Sequence, residues 1–264
     1  MRMRRRRDPV LISAHRFGAG KERDLENSLD ALETSLTLGV DYVEFDVQRC
    51  NDGTFVVAHD TWVAVGDHHL PISSLTPPQL EVLAGIVVRY DDVLARIDGR
   101  ARAHVDLKFT SPDEVYAADP GSTYEVAAVR RALEVLGSGY LLVTTNEDKG
   151  VRAVRDWADA EGHELLVGLS LGRSVRGLPW WKQVRVRLSE LLPRLRYQES
   201  RANLVVAKDI LARLGVAAFA RRRHLPLVVW TVDSEDSLRY WLRPGRAWLV
   251  TTNQPGLALR IRGR

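Results

Sequence analysis

Residues 41–47 read DYVEFDV and residues 103–108 read AHVDLK. Each alternates apolar with polar side chains, the pattern of a β-strand with two unlike faces. In such a strand every second side chain points the same way. Glu44 and Asp46 therefore share one face, and Asp106 and Lys108 share another. Working outward, further strands are expected at Val10–His15, Tyr140–Thr145, Glu164–Ser170, Asn203–Ala207, Pro226–Val232 and Ala247–Thr251. Helical spacing of apolar residues separates them at Leu25–Leu38, Leu75–Ala84, Tyr90–Ile97, Tyr124–Leu136, Lys149–Ala160, Asp209–Arg223, Glu235–Leu242 and Pro255–Ile261. Thr54–His59 is an excursion after the second strand, entered by the turn Asn51-Asp52-Gly53.

Eight strand–helix units in 264 residues favour a closed barrel, whose usual size is ~250 residues. The expected fold is α/β, a single-domain (β/α)8 TIM barrel over residues 10–264 behind a basic tail, residues 1–9. No glycine-rich GxGxxG turn follows the first strand, which speaks against a dinucleotide site. Residues 171–201 break the rhythm with an arginine-rich stretch holding Trp180 and Trp181.

Composition narrows the function classes. Apolar residues make up 45% and charged residues 27%, with a net charge of +4; this is the profile of an ordinary globular domain. The excess of positive charge would suit nucleic acid, anionic lipid or a phosphorylated substrate. No recognition helix or RNA-binding signature is present, so nucleic acid is not expected as a partner. The single cysteine, Cys50, rules out an intrachain disulfide and suits a reducing compartment. The apolar stretch after the N-terminal arginines is too short for a secretion signal. A cytoplasmic location is the expectation.

Barrel enzymes carry their chemistry at the C-terminal ends of the strands, and polar residues gather there. His15 and Arg16 finish the first strand, Glu44 and Asp46 lie in the second, and Asp106 and Lys108 end the third. Three carboxylates from neighbouring strands can converge on one hard cation. Without positive compensation they could not stay charged together. His59, leaving the loop after the second strand, can lean over the same mouth. Any one of these residues alone would pass for a structural group, but their convergence on three successive strand ends points to a phosphodiester site. The anionic oxygens of such a substrate bind metal, Arg and Lys, and two histidines can divide acid and base work. His68 and His69 are expected in a loop, and His104 as a structural residue.

The segment AHRFGAGKERDLENSLDALETSLTLGVDYVEFDVQRCNDGTFVVAHD resembles the opening of the glycerophosphodiester phosphodiesterases. The matching features are His15-Arg16, Glu26-Asn27, Glu44 and Asp46, Asp52-Gly53 and His59-Asp60. Farther on, VDLK, VVWTVDSEDSLRYWL and LVTTNQP resemble the family's later strands. The resemblance implies Ca²⁺ or Mg²⁺ on Glu44, Asp46 and Asp106, with His15 and His59 as general acid and base. It implies that Arg16 and Lys108 hold the phosphoryl oxygens, that Glu26 and Asn27 support them, and that Trp230 lines the substrate pocket. It further implies a glycerophosphodiester substrate, cleaved to an alcohol and glycerol phosphate.

Four departures stand out. Phe17 follows His-Arg where the family has Gly, Leu25 replaces Pro in a longer loop, Asp106 replaces Glu, and Asn253 replaces Asp. Asp106-Leu107-Lys108 also resembles the sphingomyelinase D-like phospholipases, which act on lysophospholipids, but their disulfide-tied loop cannot form with Cys50 alone. A catalytically weak barrel that binds a phosphorylated ligand is a third reading, motivated by Phe17 and the longer loop. Residues 171–201 admit two readings. One is a solvated amphipathic helix with arginine stems on the barrel, favoured by the lack of a long uninterrupted apolar face. The other is peripheral membrane contact, with both tryptophans at the headgroup level.

Overall fold

The computed structural model describes residues 8–85 and 87–263. Most of the expected basic tail, residues 1–7, lies outside the described residues. Eight strands form the barrel: β1 Leu11–Ala14, β2 Tyr42–Arg49, β3 Arg102–Leu107, β4 Leu141–Thr145, β5 Leu166–Leu171, β6 Leu204–Lys208, β7 Leu227–Trp230 and β8 Leu249–Thr252. Each pairs in parallel with the next, and β1 also pairs with β8, so the ring closes. The register sets Glu44 beside His104 and Asp46 beside Asp106.

Alternation along the strands divides the core into two parts. Leu11, Tyr42, Leu142, Leu204, Val206, Val228 and Leu249 form one cluster that fills the barrel. Val43, Phe45, Val47, Val105, Val143 and Val250 belong to a second, packed between the strands and the surrounding helices. Burial of these branched side chains on both faces is what a parallel barrel requires.

Local sequence explains where elements depart from expectation. The first long helix begins at Leu29, not Leu25, because Asn27 adopts φ 59° and Ser28 caps the helix by accepting the Ala31 N–H at 3.2 Å. The run after β6 is not one regular helix: Gly215, at φ 145°, interrupts it within the wide turn Ala212–Val216. Phe55–Val57 extends the sheet by antiparallel pairing with β2 and with Val88–Arg89. His68 and His69 are not loop residues. They lie in a strand, His68–Pro71, hydrogen-bonded to Trp62–Val65 across the Gly66-Asp67 turn, and the His69 ring stacks on Trp62 at 3.8 Å.

Residues 171–201 hold two helices. Arg194–Ser200 packs on the helix Asp148–Ala160 and leads directly into β6, the position of an ordinary barrel helix. Trp180–Leu191 is additional and sits on the rim at the C-terminal ends of the strands. Its buried Glu190 accepts the N–H groups of Gly172 and Arg173, just past β5, at 2.9 and 3.1 Å. Its other support is the segment Ala212–Val216, just beyond β6.

Across the seam of the ring, Asp41 accepts the Ile12 N–H at 2.9 Å and pairs with Arg262 of the last helix, Pro255–Arg262. No helix among the described residues is long and apolar enough to cross a membrane.

Candidate active site

The strand ends bring the predicted carboxylates together. Glu44, Asp46 and Asp106 each present an oxygen within 4.8 Å of the other two. Glu44 and Asp46 are buried, Asp106 half-buried. Two fixed cations reach into the group. Lys108 Nζ lies 3.1 Å from Asp46 and contacts Asp106 more closely still. Arg16 Nε lies 3.1 Å from Asp46, and its Nη1 bonds Glu26. The Arg16 N–H donates to Glu44 at 2.7 Å, and Asn27 Nδ2 donates to Asp46 at 3.3 Å. Four carboxylates, Glu26 included, thus face two cations, which leaves two negative charges uncompensated.

The titration tendencies follow from this imbalance. Burial, reinforced by Asp46 and Asp106, pushes Glu44 well above the usual carboxylate range. Burial alone would do the same to Asp46, but Lys108 and Arg16 outweigh it and hold that carboxyl low. Burial opposes the Lys108 ammonium, yet Asp106 and Asp46 overcome it and raise its pKa. A cluster of three oxygen donors, two charges short of balance, fits one hard divalent cation.

The histidines occupy different settings. His15 is nearly enclosed, and burial and Arg16 both lower its pKa. Its Nδ1 lies 2.8 Å from Asn253 Oδ1, and its Nε2 lies 3.9 Å from Glu44. His59 is more exposed. Its Nδ1 bonds Asp60 at 2.7 Å, and Gln48 donates to its backbone carbonyl at 3.3 Å. His59 lies within electrostatic reach of Asp46.

Beneath the carboxylates runs a polar layer. Thr144 Oγ1 donates to Asp106 at 2.7 Å, so it must accept from His104 Nε2 at 3.2 Å. The His104 Nδ1 is then free to accept the Ser13 hydroxyl at 3.3 Å. This imidazole stays neutral: burial first, then the neighbouring His15, lower its pKa to about 3. Trp230 ends β7, its ring packed on the barrel-filling cluster and its Nε1 buried without a partner among the described residues.

Phe17 does not close the mouth. It is fully buried, packed against Phe45 at a ring separation of 5.4 Å. The turn that puts it there is left-handed at Arg16, Phe17 and Gly18, with φ of 46°, 66° and 73°. It is held by the Asn27 N–H on the Arg16 carbonyl at 3.1 Å and the Ser35 hydroxyl on the Phe17 carbonyl at 2.6 Å.

Sequence reading missed Asp233 and Thr144, and named Asn253 without giving it a role. Asp233 holds the Asn253 backbone N–H and Nδ2, both at 2.8 Å, and so fixes the amide that meets His15. The only signal for Asn253 was its departure from the expected Asp.

The chain matches the Glycerophosphoryl diester phosphodiesterase family over residues 15–257. It belongs to that family. Among solved structures, similar folds include a glycerophosphodiester phosphodiesterase from Agrobacterium tumefaciens C58, 21% identical with TM-score 0.69, covering 97% of this chain and all of that one. A phosphodiesterase from Oleispira antarctica, solved with its product sn-glycerol-3-phosphate, is 14% identical with TM-score 0.68, covering 97% and 98% of the two chains. Among curated proteins, the mouse lysophospholipase D GDPD3 is 44% identical over 52 residues, which span 20% of this chain and 15% of that protein.

Proposed function

We propose that this chain hydrolyses glycerophosphodiesters to an alcohol and glycerol phosphate, with Ca²⁺ or Mg²⁺ held by Glu44, Asp46 and Asp106. The observation that carries this reading is the carboxylate triangle, two charges short of balance, with Arg16 and Lys108 at its edge. The bound cation would supply charge neutralisation at a non-bridging phosphate oxygen. Arg16 and Lys108 would hold the phosphoryl oxygens and favour the charge that builds up as the new bond forms.

The hydrogen bonds divide the proton work. Asn253 offers its oxygen to His15 Nδ1, so Nδ1 keeps the proton and the Nε2 lone pair faces the carboxylates. A neutral imidazole in that tautomer is a base. His15 therefore takes the proton from the attacking hydroxyl. Water and the neighbouring glycerol hydroxyl can both attack; the latter passes through a cyclic phosphate that water then opens. The bond from phosphorus to the leaving oxygen breaks, and His59, oriented by Asp60, gives that oxygen a proton. Trp230 would line the pocket for the remainder of the substrate.

The stretch of 44% identity to a lysophospholipase D favours a second substrate class, lysophospholipids cleaved by the same residues. The test is release of glycerol phosphate from glycerophosphocholine, with EDTA, Mg²⁺ and Ca²⁺ compared. Metal-dependent release is the expected result. Release of choline from lysophosphatidylcholine vesicles, leaving lysophosphatidate, with no cleavage of glycerophosphocholine, would select the second class, and no cleavage of either would reject hydrolysis.

A further inference from the structure

The rim helix Trp180–Leu191 turns Val186 and Glu190, four residues apart, into the protein. The opposite face carries Trp180, Trp181, Val184 and Leu188, which fall together because helical neighbours are three and four residues apart. All four are exposed, Trp180 at 76%. Leu192 and Leu195, on either side of Pro193, are exposed as well, at 74% and 68%. Buried large apolar side chains are the rule, and a contiguous exposed set of this kind marks an interaction surface.

The charge around the face selects the partner. Residues 171–201 hold eight Lys and Arg against two Glu. That exceeds the net charge of the entire chain, +4. Arg173, Arg176, Lys182, Arg185 and Arg194 are exposed, and none forms an ion pair among the described residues. By contrast, Arg187 is held by Glu190 and Arg196 by Asp148. Tryptophan and leucine flanked along the chain by cations without ion pairs, Lys182 lying over the Trp181 ring at 5.3 Å, match a surface that is apolar within and anionic at its edge. A bilayer containing acidic phospholipid has that profile, with Trp rings at the headgroup boundary and basic residues on the phosphates.

We infer that the Trp180–Leu195 face docks this protein on an anionic lipid bilayer. Glu190 anchors the helix to the end of β5, on the barrel end where Glu44, Asp46 and Asp106 lie. Docking therefore brings the rim of the candidate active site to the lipid surface. The inference concerns binding, and it stands or falls separately from the hydrolytic reading.

The test is co-sedimentation of the full chain with phosphatidylcholine vesicles, with and without phosphatidylserine, at low and high salt. Binding is expected with phosphatidylserine, weaker at high salt, and accompanied by a blue shift of tryptophan emission. Trp180→Ser with Trp181→Ser should weaken binding by about ten-fold or more. Lys182→Glu with Arg185→Glu should abolish the preference for phosphatidylserine. Circular dichroism and turnover of a soluble diester should be unchanged in both variants. A wild-type protein that stays in the supernatant overturns the inference, as do variants that bind like wild type. Sedimentation velocity that finds a dimer dissolved by the tryptophan variant also overturns it, because the face would then belong to a second copy.

Discussion

The Nδ1 of His15 lies 2.8 Å from Oδ1 of Asn253, an amide clamped by Asp233. A carboxylate in that place would draw His15 towards its charged form. The neutral amide fixes the same tautomer and raises the imidazole pKa only in part, so burial and Arg16 still hold it below the usual histidine value. As the proposed base, His15 would therefore be unprotonated at a pH where an ordinary histidine carries a proton.

Asn253→Asp should raise the His15 pKa. A base works only when unprotonated, so activity falls as pH drops through its pKa. The acid limb of the pH profile of kcat/KM should move to higher pH in this variant. An unmoved acid limb would show that His15 is not the base. Asn253→Ala should cost roughly 10–100-fold in turnover through loss of orientation.

His15→Ala and His59→Ala should each lower turnover by about 10²–10⁴-fold, the usual range for a lost acid or base, with unchanged circular dichroism. Full activity in either variant would remove that histidine from the proton transfers.

Glu44 is buried beside two other carboxylates, so its charge is costly until a cation arrives. Glu44→Gln should raise the melting temperature in EDTA while abolishing the rise that Ca²⁺ or Mg²⁺ gives the wild type. Calorimetry on both proteins, with and without metal, decides it. A retained metal-induced rise would place the cation elsewhere.

Thr144→Val removes a hydrogen bond to Asp106 and leaves His104 Nε2–H without an acceptor. The expected loss is about 1–3 kcal/mol of stability, measured by urea denaturation. Metal affinity should weaken by roughly 10–100-fold, because Asp106 loses the group that orients it. Unaltered affinity would limit Thr144 to a structural role.

Phe17→Gly restores the residue that a left-handed turn prefers, but empties a buried aromatic site. Removing a buried Phe costs about 3–5 kcal/mol, and relieving the backbone returns roughly 1–3 kcal/mol. Net destabilisation is expected in urea, with KM for a soluble diester unchanged, since Phe17 faces Phe45 and not the mouth. A lowered KM would mean that Phe17 restricts entry.

Much of this molecule is legible from its residues. Period-two alternation places Glu44, Asp46 and Asp106, and the strand–helix rhythm foretells the barrel. Asn253 and Thr144 escape because each stands in a run of polar residues at a strand end, with nothing to single it out, and is distant in sequence from the group it meets. The true start of the first helix is hidden by Asn27, whose left-handed backbone serves its contact with Asp46. The apolar face of the rim helix is hidden for a different reason. Lys182, Arg185 and Arg187 interrupt its apolar residues in linear order, and only the helical turn gathers Trp180, Val184 and Leu188 on one side.

The pairing of β1 with β8 joins Ser13 to Thr251, more than two hundred residues apart. During synthesis, at ~5–20 residues per second, β1 must wait roughly 10–50 s before its partner exists. For that interval the nascent chain carries an open parallel edge, the kind of surface on which other chains assemble. Arg262, which reaches Asp41 across the seam, is made later still. Ring closure is thus a late event in the life of the polypeptide, and protection of the growing chain is a requirement written into the topology.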